Sequence, residues 1–579
     1  MPTVIETLYS LFKNATLAAY PSLSDPGIEI TQTTNDKFGD YQFNSAMKLS
    51  KLAQSPPRQI AETILYHLQK EPVISKVEIA GPGFVNITID PSYLATRMNE
   101  LLHDPLLGIN KPEKSLRVII DFSAPNTAKE MHVGHLRSTI IGDCLARVFE
   151  FSGHDVLRLN HIGDWGTAFG MLISHMKKNV PEVLSGSQTT TLQELVHWYR
   201  ASKQHFDTNP EFKKNSQLEV VALQSGDPES LKAWSIICDI SRKAYQEIYD
   251  LLDIKLIERG ESFYNPMLGD TVAELESKGL VQISDGAKCI FLEGFSNREG
   301  EPLPLMVQKS DGAYNYDTTD MAAIKHRIQT ENGDRLIYVT DAGQGKHFEM
   351  VFKAAEKAGY LDPAKVKVDH VPFGLVLGSD GKKFKTRSGD TERLIDLIYA
   401  AVNESEKIIA KRSPEMDSVE RKELAHALGV GAIKYADLSC NRTGDYAFSY
   451  DRMLRFEGNT AAFLMYSYVR AEGIKRKMHA DMAILLKTDK IQIGNETEKA
   501  LAMHLAQFGE TIQAVERELL PNRLTDYLYG LAEKFNAFYR DCPVDGSAEK
   551  NSRLLLCEAV ALVMKQGLSM LGVRTVEKM

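Results

Sequence analysis

"SAPNTAKEMHVGHLRS", Ser123 to Ser138, sets two histidines around a Val-Gly pair where one periodicity gives way to another. Before it runs "LRVIIDF", a continuous apolar stretch of the kind shown by a parallel strand covered on both faces. After it, Ile140, Ile141, Cys144, Leu145, Val148 and Phe149 recur at helical spacing up to Gly153, and "DVLRLNHI" follows as a second strand. The plain reading is a βαβ unit. His132 and His135 then sit at the strand-to-helix crossover, where parallel sheets place ligands and where the free N–H groups of a helix start attract anions, phosphate above all. Gly134 lacks a Cβ and so allows a flat group to approach the backbone. On spacing alone, H-x-G-H is equally compatible with two polar cap residues in an exposed loop.

Working outward, residues 1 to about 110 combine an amphipathic helix, the polar loop "TQTTNDKFGDYQFNSAM", a helix near Pro57 to Lys70, and two alternating segments, "SKVEIA" and "GFVNITID", joined by Gly81-Pro82-Gly83. This is a small α/β module. From about 175 to 255 the pattern is almost wholly helical and reads as an insertion in the α/β region. Strands return with "CIFLEG", "RLIYVTDAG" and "VDHVPFGLVLG". The last runs into "GSDGKKFKTRSG", a glycine-bracketed loop carrying Lys382, Lys383, Lys385 and Arg387. Alone, such a run reads as a solvated turn. Beyond about 400 the pattern is long helices only.

The chain has 579 residues, enough for about three to five domains. Its 43% hydrophobic and 25% charged content is ordinary for a globular chain, and its apolar runs fall short of a bilayer span. The N-terminus lacks an export pattern. Six scattered cysteines without a C-x-x-C pair suggest neither a zinc ribbon nor a disulfide framework, which fits a reducing cytoplasm. A net charge of −9 weighs only weakly against a nucleic-acid partner, because attraction to phosphate acts locally, over about 10 Å. No G-x-x-x-x-G-K-[ST] occurs, so a P-loop is excluded.

"HVGH" resembles the HIGH signature of class I aminoacyl-tRNA synthetases, and "KFKTRSG" resembles their KMSK-type loop in the degenerate form of arginyl-tRNA synthetases. "NHIGDWGTAFG", "KSDGAYNYDTTDMAAI", "IKYADLS", "GNTAAFLMYSYVR" and "FGDYQFNSAM" are similar to that family in the same order, over essentially the whole chain. The resemblance implies an α/β fold with a Rossmann-type parallel-sheet catalytic domain at 111–400, helically inserted at 175–255. It also implies a tRNA-contacting α/β module at 1–110 and an all-α anticodon-binding bundle at 401–579.

It further implies activation of L-arginine with ATP, accompanied by Mg2+, and transfer to tRNA(Arg) by a cytoplasmic monomer with no membrane association and no protein-bound metal. His132 and His135 would donate to the triphosphate, and Gly134 would lie against the nucleoside. Lys383, Lys385 and Arg387 would close over ATP. The usual signature ends in a lysine where this loop has Arg387, which shifts weight to Lys129. Because a guanidinium has five donors and no acceptor, its slot needs carboxylates. Asp320 would pair with it, Tyr316 would pack on it one helical turn away, and Asp121 would add a second carboxylate. Ala124, Pro125, Asn126, His135 and Gln344 would hold the amino-acid end. Phe38, Asp40, Tyr41 and Gln42 would meet the tRNA elbow, and exposed residues among Tyr527, Tyr539 and Met579 the anticodon. "GDWG" with Trp165 reads as a packed turn, and His161 and His347 either line the site or are satisfied polar residues. Two rivals are an adenylate-forming enzyme without tRNA, against which the helical end speaks, and a non-enzymatic RNA binder, which need not keep both histidines, the acids and the cationic loop.

Overall fold

The structure, a computed structural model, describes residues 2–33, 35–68, 71–297, 299–378, 381–382 and 393–579. Lys383, Lys385 and Arg387 lie outside the described residues. The chain forms two compact units, one of residues 1–113, 151–153 and 455–579, the other of 114–150 and 154–454.

In the first unit, strands β1 (Ile30–Gln32), β2 (Tyr41–Phe43), β3 (Ile74–Ala80) and β4 (Phe84–Ile89) form an antiparallel sheet in the order β1-β2-β4-β3. Gly81 and Gly83 turn β3 into β4 with φ of +53° and +148°, as the Gly-Pro-Gly signal predicts. Helix Val4–Ala19 starts on a reciprocal Thr3/Glu6 cap and buries Val4, Leu8, Phe12 and Ala15, one turn apart. The chain returns to this unit as five helices of eleven or more residues between Ala461 and Met570. Glu510 from one of them accepts bonds from Ile5 N (2.8 Å), the Tyr41 hydroxyl (2.8 Å) and Gln32 Nε2 (2.6 Å). Tyr41 is therefore an interior strut and not a surface contact. Alternation along β2 turns Tyr41 and Phe43 inward and leaves Gln42 on the other face.

The second unit is built on a parallel sheet of β5 (Arg117–Asp121), β6 (Asp155–Asn160), β7 (Ile257–Glu258), β11 (Arg335–Tyr338) and β12 (Lys367–His370), in the order β12-β11-β5-β6-β7. Order reverses at β5, so the cleft outside its carboxyl end is the expected ligand position. Val118, Ile119 and Ile120 are buried, as the unbroken apolar run requires of a strand covered on both faces. Helix Val133–Phe151 crosses over to β6 and presses Gly142 onto Phe122, where a Cβ would lie 2.2 Å from the ring.

Helices Thr167–Asn179, Leu192–Thr208, Pro210–Gln224 and Pro228–Leu251 lie between β6 and β7. The segment "CIFLEG" is a strand, as its sequence predicts. It belongs to a separate antiparallel sheet of β8 (Gln282–Ser284), β9 (Ala287–Ser296) and β10 (Pro302–Gln308), because Asp285 and Gly286, at φ +49° and +79°, form a tight hairpin. Helices Leu394–Arg412 and Ser418–Leu438 also pack with this unit, which runs to Leu454, past position 400 where the sequence turns purely helical. All six cysteines are free thiols.

Gly142→Ala should overpack the Phe122 contact and lower unfolding free energy by about 1–3 kcal/mol. Denaturant unfolding checks this, and an unchanged midpoint contradicts the packing described.

Candidate active site

The loop between β5 and helix Val133–Phe151 holds three non-glycine residues in the left-handed region: Ser123 (φ +75°), Ala124 (+45°) and Ala128 (+59°). Such backbone persists only where its surroundings fix it. Here the fixing groups come largely from helix Pro228–Leu251 of the insertion. The Tyr249 hydroxyl is 2.8 Å from the Ser123 hydroxyl, Ser241 Oγ accepts from Ala128 N at 3.0 Å, and the Tyr245 hydroxyl is 2.7 Å from the carbonyls of both Asn126 and Lys129. Asn160 Oδ1 accepts from Ala124 N at 3.0 Å. Asn126, exposed at the loop's tip, bridges to Gly163 of "GDWG", where a Cβ would meet its Oδ1 at 2.3 Å. Trp165 packs edge-on against Trp234, as its reading as a packed turn expects.

This loop delivers the histidine pair as a reciprocal helix cap. His132 Nδ1 accepts from Gly134 N at 3.0 Å, and His135 Nδ1 accepts from His132 N at 3.1 Å. A neutral imidazole that accepts at Nδ1 carries its proton on Nε2, so both rings present an Nε2–H donor. Burial, helped by His132 and Lys129, pushes the His135 pKa down to about 3, which leaves it neutral across the physiological range. The cap also explains Gly134, whose Cβ would lie 2.9 Å from the His132 ring. The rings lie 4.2 Å apart. Arg393, on the far side of the cationic loop, forms a backbone bridge with His132, and Leu394 N donates to Met131 O at 2.8 Å. Arg393 and Leu394 are thus tied to the segment that carries the histidines.

Asp121, at the end of β5, is not an open carboxylate. It pairs at 2.8 Å with Arg327, a guanidinium only 1% exposed on helix Tyr316–Gln329. Long-range pairing of this kind leaves no mark in local sequence. His161 Nδ1 is 3.1 Å from Arg327 Nη2, and burial lowers its pKa, so this histidine is a neutral, satisfied polar residue. Toward the start of that helix, about three and two turns before Arg327, Tyr316 is 61% exposed and Asp320 is partly open. Asp320 faces His347, whose Nε2 is 2.6 Å from Asp320 Oδ2 and whose Nδ1 is 3.2 Å from Asp317 Oδ1. Burial opposes charge on this ring, but the two carboxylates outweigh it and raise its pKa to about 9. Gln344 lies one helical turn before His347 and bonds Asp341 at 3.1 Å.

A further carboxyl escaped sequence reading. Glu261 opens helix Glu261–Ser277, and its pKa is pushed up to about 7 by burial, then by Asp164 and Asp320. Its signal was an acidic residue directly after Gly260 at a helix start, a pattern that also fits ordinary capping. Lys129 is exposed, with its ammonium 5.8 Å from the Tyr199 ring centroid.

Among the residues expected to face tRNA, Phe38 is 45% exposed, whereas Asp40 accepts from Ile89 N at 2.7 Å. Gln42 donates to Asn86 Oδ1 at 2.7 Å, and Met579 is half-buried. Tyr527 is buried and stacked on His504, with its hydroxyl donating to the His504 carbonyl at 3.0 Å. It shares the inner face of its helix with Leu524, Leu531 and Phe538, while Tyr539 falls on the outer face. There Arg470 lies between the exposed rings of Tyr466 and Tyr539, 4.8 and 5.1 Å from their centroids.

Known proteins resemble this chain along its whole length. Residues 97–450 match the model of the class I (R) tRNA synthetase catalytic domain, 464–579 the DALR anticodon binding domain, and 6–89 the arginyl tRNA synthetase N terminal domain. An arginine–tRNA ligase from Protochlamydia amoebophila is 64% identical over the full length of both chains, and one from a Cyanothece species is 49% identical over the same extent. The crystal structure of arginyl-tRNA synthetase from Plasmodium falciparum superposes with a TM-score of 0.87 at 32% identity, covering 100% of both chains. That of Thermus thermophilus gives 0.80 at 22% identity, covering 99% of this chain and 100% of its own, which speaks to the fold alone. With its sheet, capped histidines and matched domains in this order, the chain belongs to the arginyl-tRNA synthetase family.

Proposed function

We propose that the protein is an arginine–tRNA ligase of protein synthesis: it joins the carboxylate of L-arginine to the α-phosphate of ATP, releases pyrophosphate, and passes the arginyl group to the 3′ end of tRNA(Arg). The observation that carries this reading is the reciprocal histidine cap at the switch point of the sheet, with Arg393 bridged to His132. Attack of a carboxylate on phosphorus gathers negative charge on the phosphate oxygens, and preorganised donors there lower the barrier without reorganising. His132 and His135 supply Nε2–H donors whose direction is set by the backbone. Lys129, Lys383, Lys385 and Arg387 supply cations toward the pyrophosphate, while Mg2+ arrives with ATP as part of the substrate.

Asp320 and Glu261 form the acidic part of the guanidinium slot, and Tyr316, 5.2 Å from the His347 ring, covers it. Asp121 acts on this slot indirectly, by holding Arg327 in place. The backbone of Ala124 and Pro125, with Asn126, His135 and Gln344, takes the amino-acid end. Phe38 with its neighbouring loop, and the Tyr466–Arg470–Tyr539 stack, present aromatic faces and a cation to single-stranded or splayed bases. Tyr539 and Met579 remain the anticodon contacts carried over from sequence. Among the described residues no helix is long and apolar enough to cross a membrane, and we assign a cytoplasmic monomer.

Arginine-dependent pyrophosphate exchange tests the reading. Exchange is expected only with arginine-accepting tRNA present, and His135→Ala should lose on the order of 2.7–4 kcal/mol of transition-state stabilisation. Exchange without RNA and no charging supports an adenylate-forming enzyme instead. A His135→Ala rate within threefold of the parent contradicts the donor role.

A further inference from the structure

We propose that His347 is the resident cation of the acidic slot, and that arginine binding displaces the proton on its Nε2 so that the ring changes from donor to acceptor. This rests on the assignment of Asp320 to the guanidinium slot. The geometry is specific. An imidazole with a carboxylate at each nitrogen, Asp317 at 3.2 Å and Asp320 at 2.6 Å, donates twice and is an imidazolium.

The two sides are not equivalent. Asp317 is fixed in the wall: its Oδ2 accepts from Met306 N at 3.0 Å and is 3.4 Å from Asn315 Nδ2, and the residue is buried. Asp320 is the more open partner. A guanidinium takes a carboxylate through both oxygens, so its fork competes directly with the Nε2–H of His347. Once it is seated, a second cation beside it is disfavoured, and the cheaper charge to lose is the imidazolium's, since a guanidinium does not deprotonate. The Nε2–H bond breaks, its electron pair stays on nitrogen and the proton passes to solvent. His347 keeps Nδ1–H on Asp317, and the freed Nε2 pair accepts one of the five guanidinium N–H groups. A ligand that cannot drive off that proton finds Asp320 already occupied, which makes His347 a specificity-determining residue.

Other titratable groups face the same carboxylates. Glu261, His161, Tyr338 and Tyr316 act on Asp320, and Cys289 and Tyr316 on Asp317. His161 stays neutral, and the phenols and thiol are raised, so Glu261 is the group able to mimic the effect. The working pH separates them. With pKa about 9, His347 is about nine-tenths charged at pH 8, while Glu261, at about 7, is already about nine-tenths ionised and has little proton to give. Since the free protein binds the proton and the arginine complex does not, affinity for arginine rises with pH up to about 9 and levels off above it.

Calorimetric titration of L-arginine into the full-length protein at pH 8, in buffers of different ionisation enthalpy, reads proton release directly. The parent is expected to release at least about half a proton more per arginine than His347→Gln, whose amide keeps a hydrogen bond but cannot ionise. The parent dissociation constant should fall several-fold more steeply than that of His347→Gln between pH 7.5 and 8.5. Equal release and equal slopes overturn the proposal. If His347→Gln does not fold, the parent alone decides, since no net proton release at pH 8 overturns it too. Asp320→Asn keeps the two readings apart. Unchanged arginine affinity in that variant overturns the slot assignment, whereas lost affinity together with a parent that releases no proton overturns only the role of His347.

Discussion

The left-handed run at Ser123, Ala124 and Ala128 is the constraint on which the site depends. Each such residue costs about 1–2 kcal/mol against ordinary backbone, and the loop is held there by hydroxyls of Ser241, Tyr245 and Tyr249, all on one helix of the insertion. A relaxed loop would leave β5 in another direction, and the helix that begins at Val133 would lose the cap formed by His132 and His135. The insertion, the least specific stretch by sequence, is thus what secures the most specific one. Strain of this kind pays no stability dividend; it fixes the direction of two N–H donors.

Charge around the site falls into two classes. Arg327 with Asp121 is a buried pair at the end of β5 whose two charges neutralise one another. Such pairs specify geometry more than they add stability. Asp320, His347 and Glu261 form the other class. His347, raised to about 9, and Glu261, raised to about 7, titrate within reach of neutral pH. In the proposed guanidinium slot, a fixed pair of the first class positions the ligand, while His347 and Glu261 answer its charge.

The βαβ core was legible because its signals are local. The apolar run of β5, the spacing from Ile140 to Phe149 and the histidines between them are each a few residues long, and the structure places them as that periodicity requires. What local pattern could not carry is which side of an element meets a distant partner. Asp121 and Arg327 are far apart in sequence, so the engagement of that carboxylate was invisible. Tyr41 and Tyr527 occupy inner faces that only the Glu510 network and the His504 stack reveal. "CIFLEG" has strand composition whichever sheet it joins, and only the Asp285–Gly286 hairpin assigns it to a separate antiparallel one. The resemblance to a family supplied the roles, while the hydrogen bonds supply the reason for Gly134 and Gly163.

The reciprocal cap is most directly tested by the nitrogen chemical shifts of 15N-histidine in the full-length protein, with the His135 signals assigned by their loss in His135→Gln. The ring of His135 should be the Nε2–H tautomer at pH 7 and remain neutral as pH falls to about 4.5, in keeping with a pKa near 3. Titration with a midpoint near 6.5, or a proton found on Nδ1, would mean that the imidazole does not close the helix and that its donor is not aimed by the backbone.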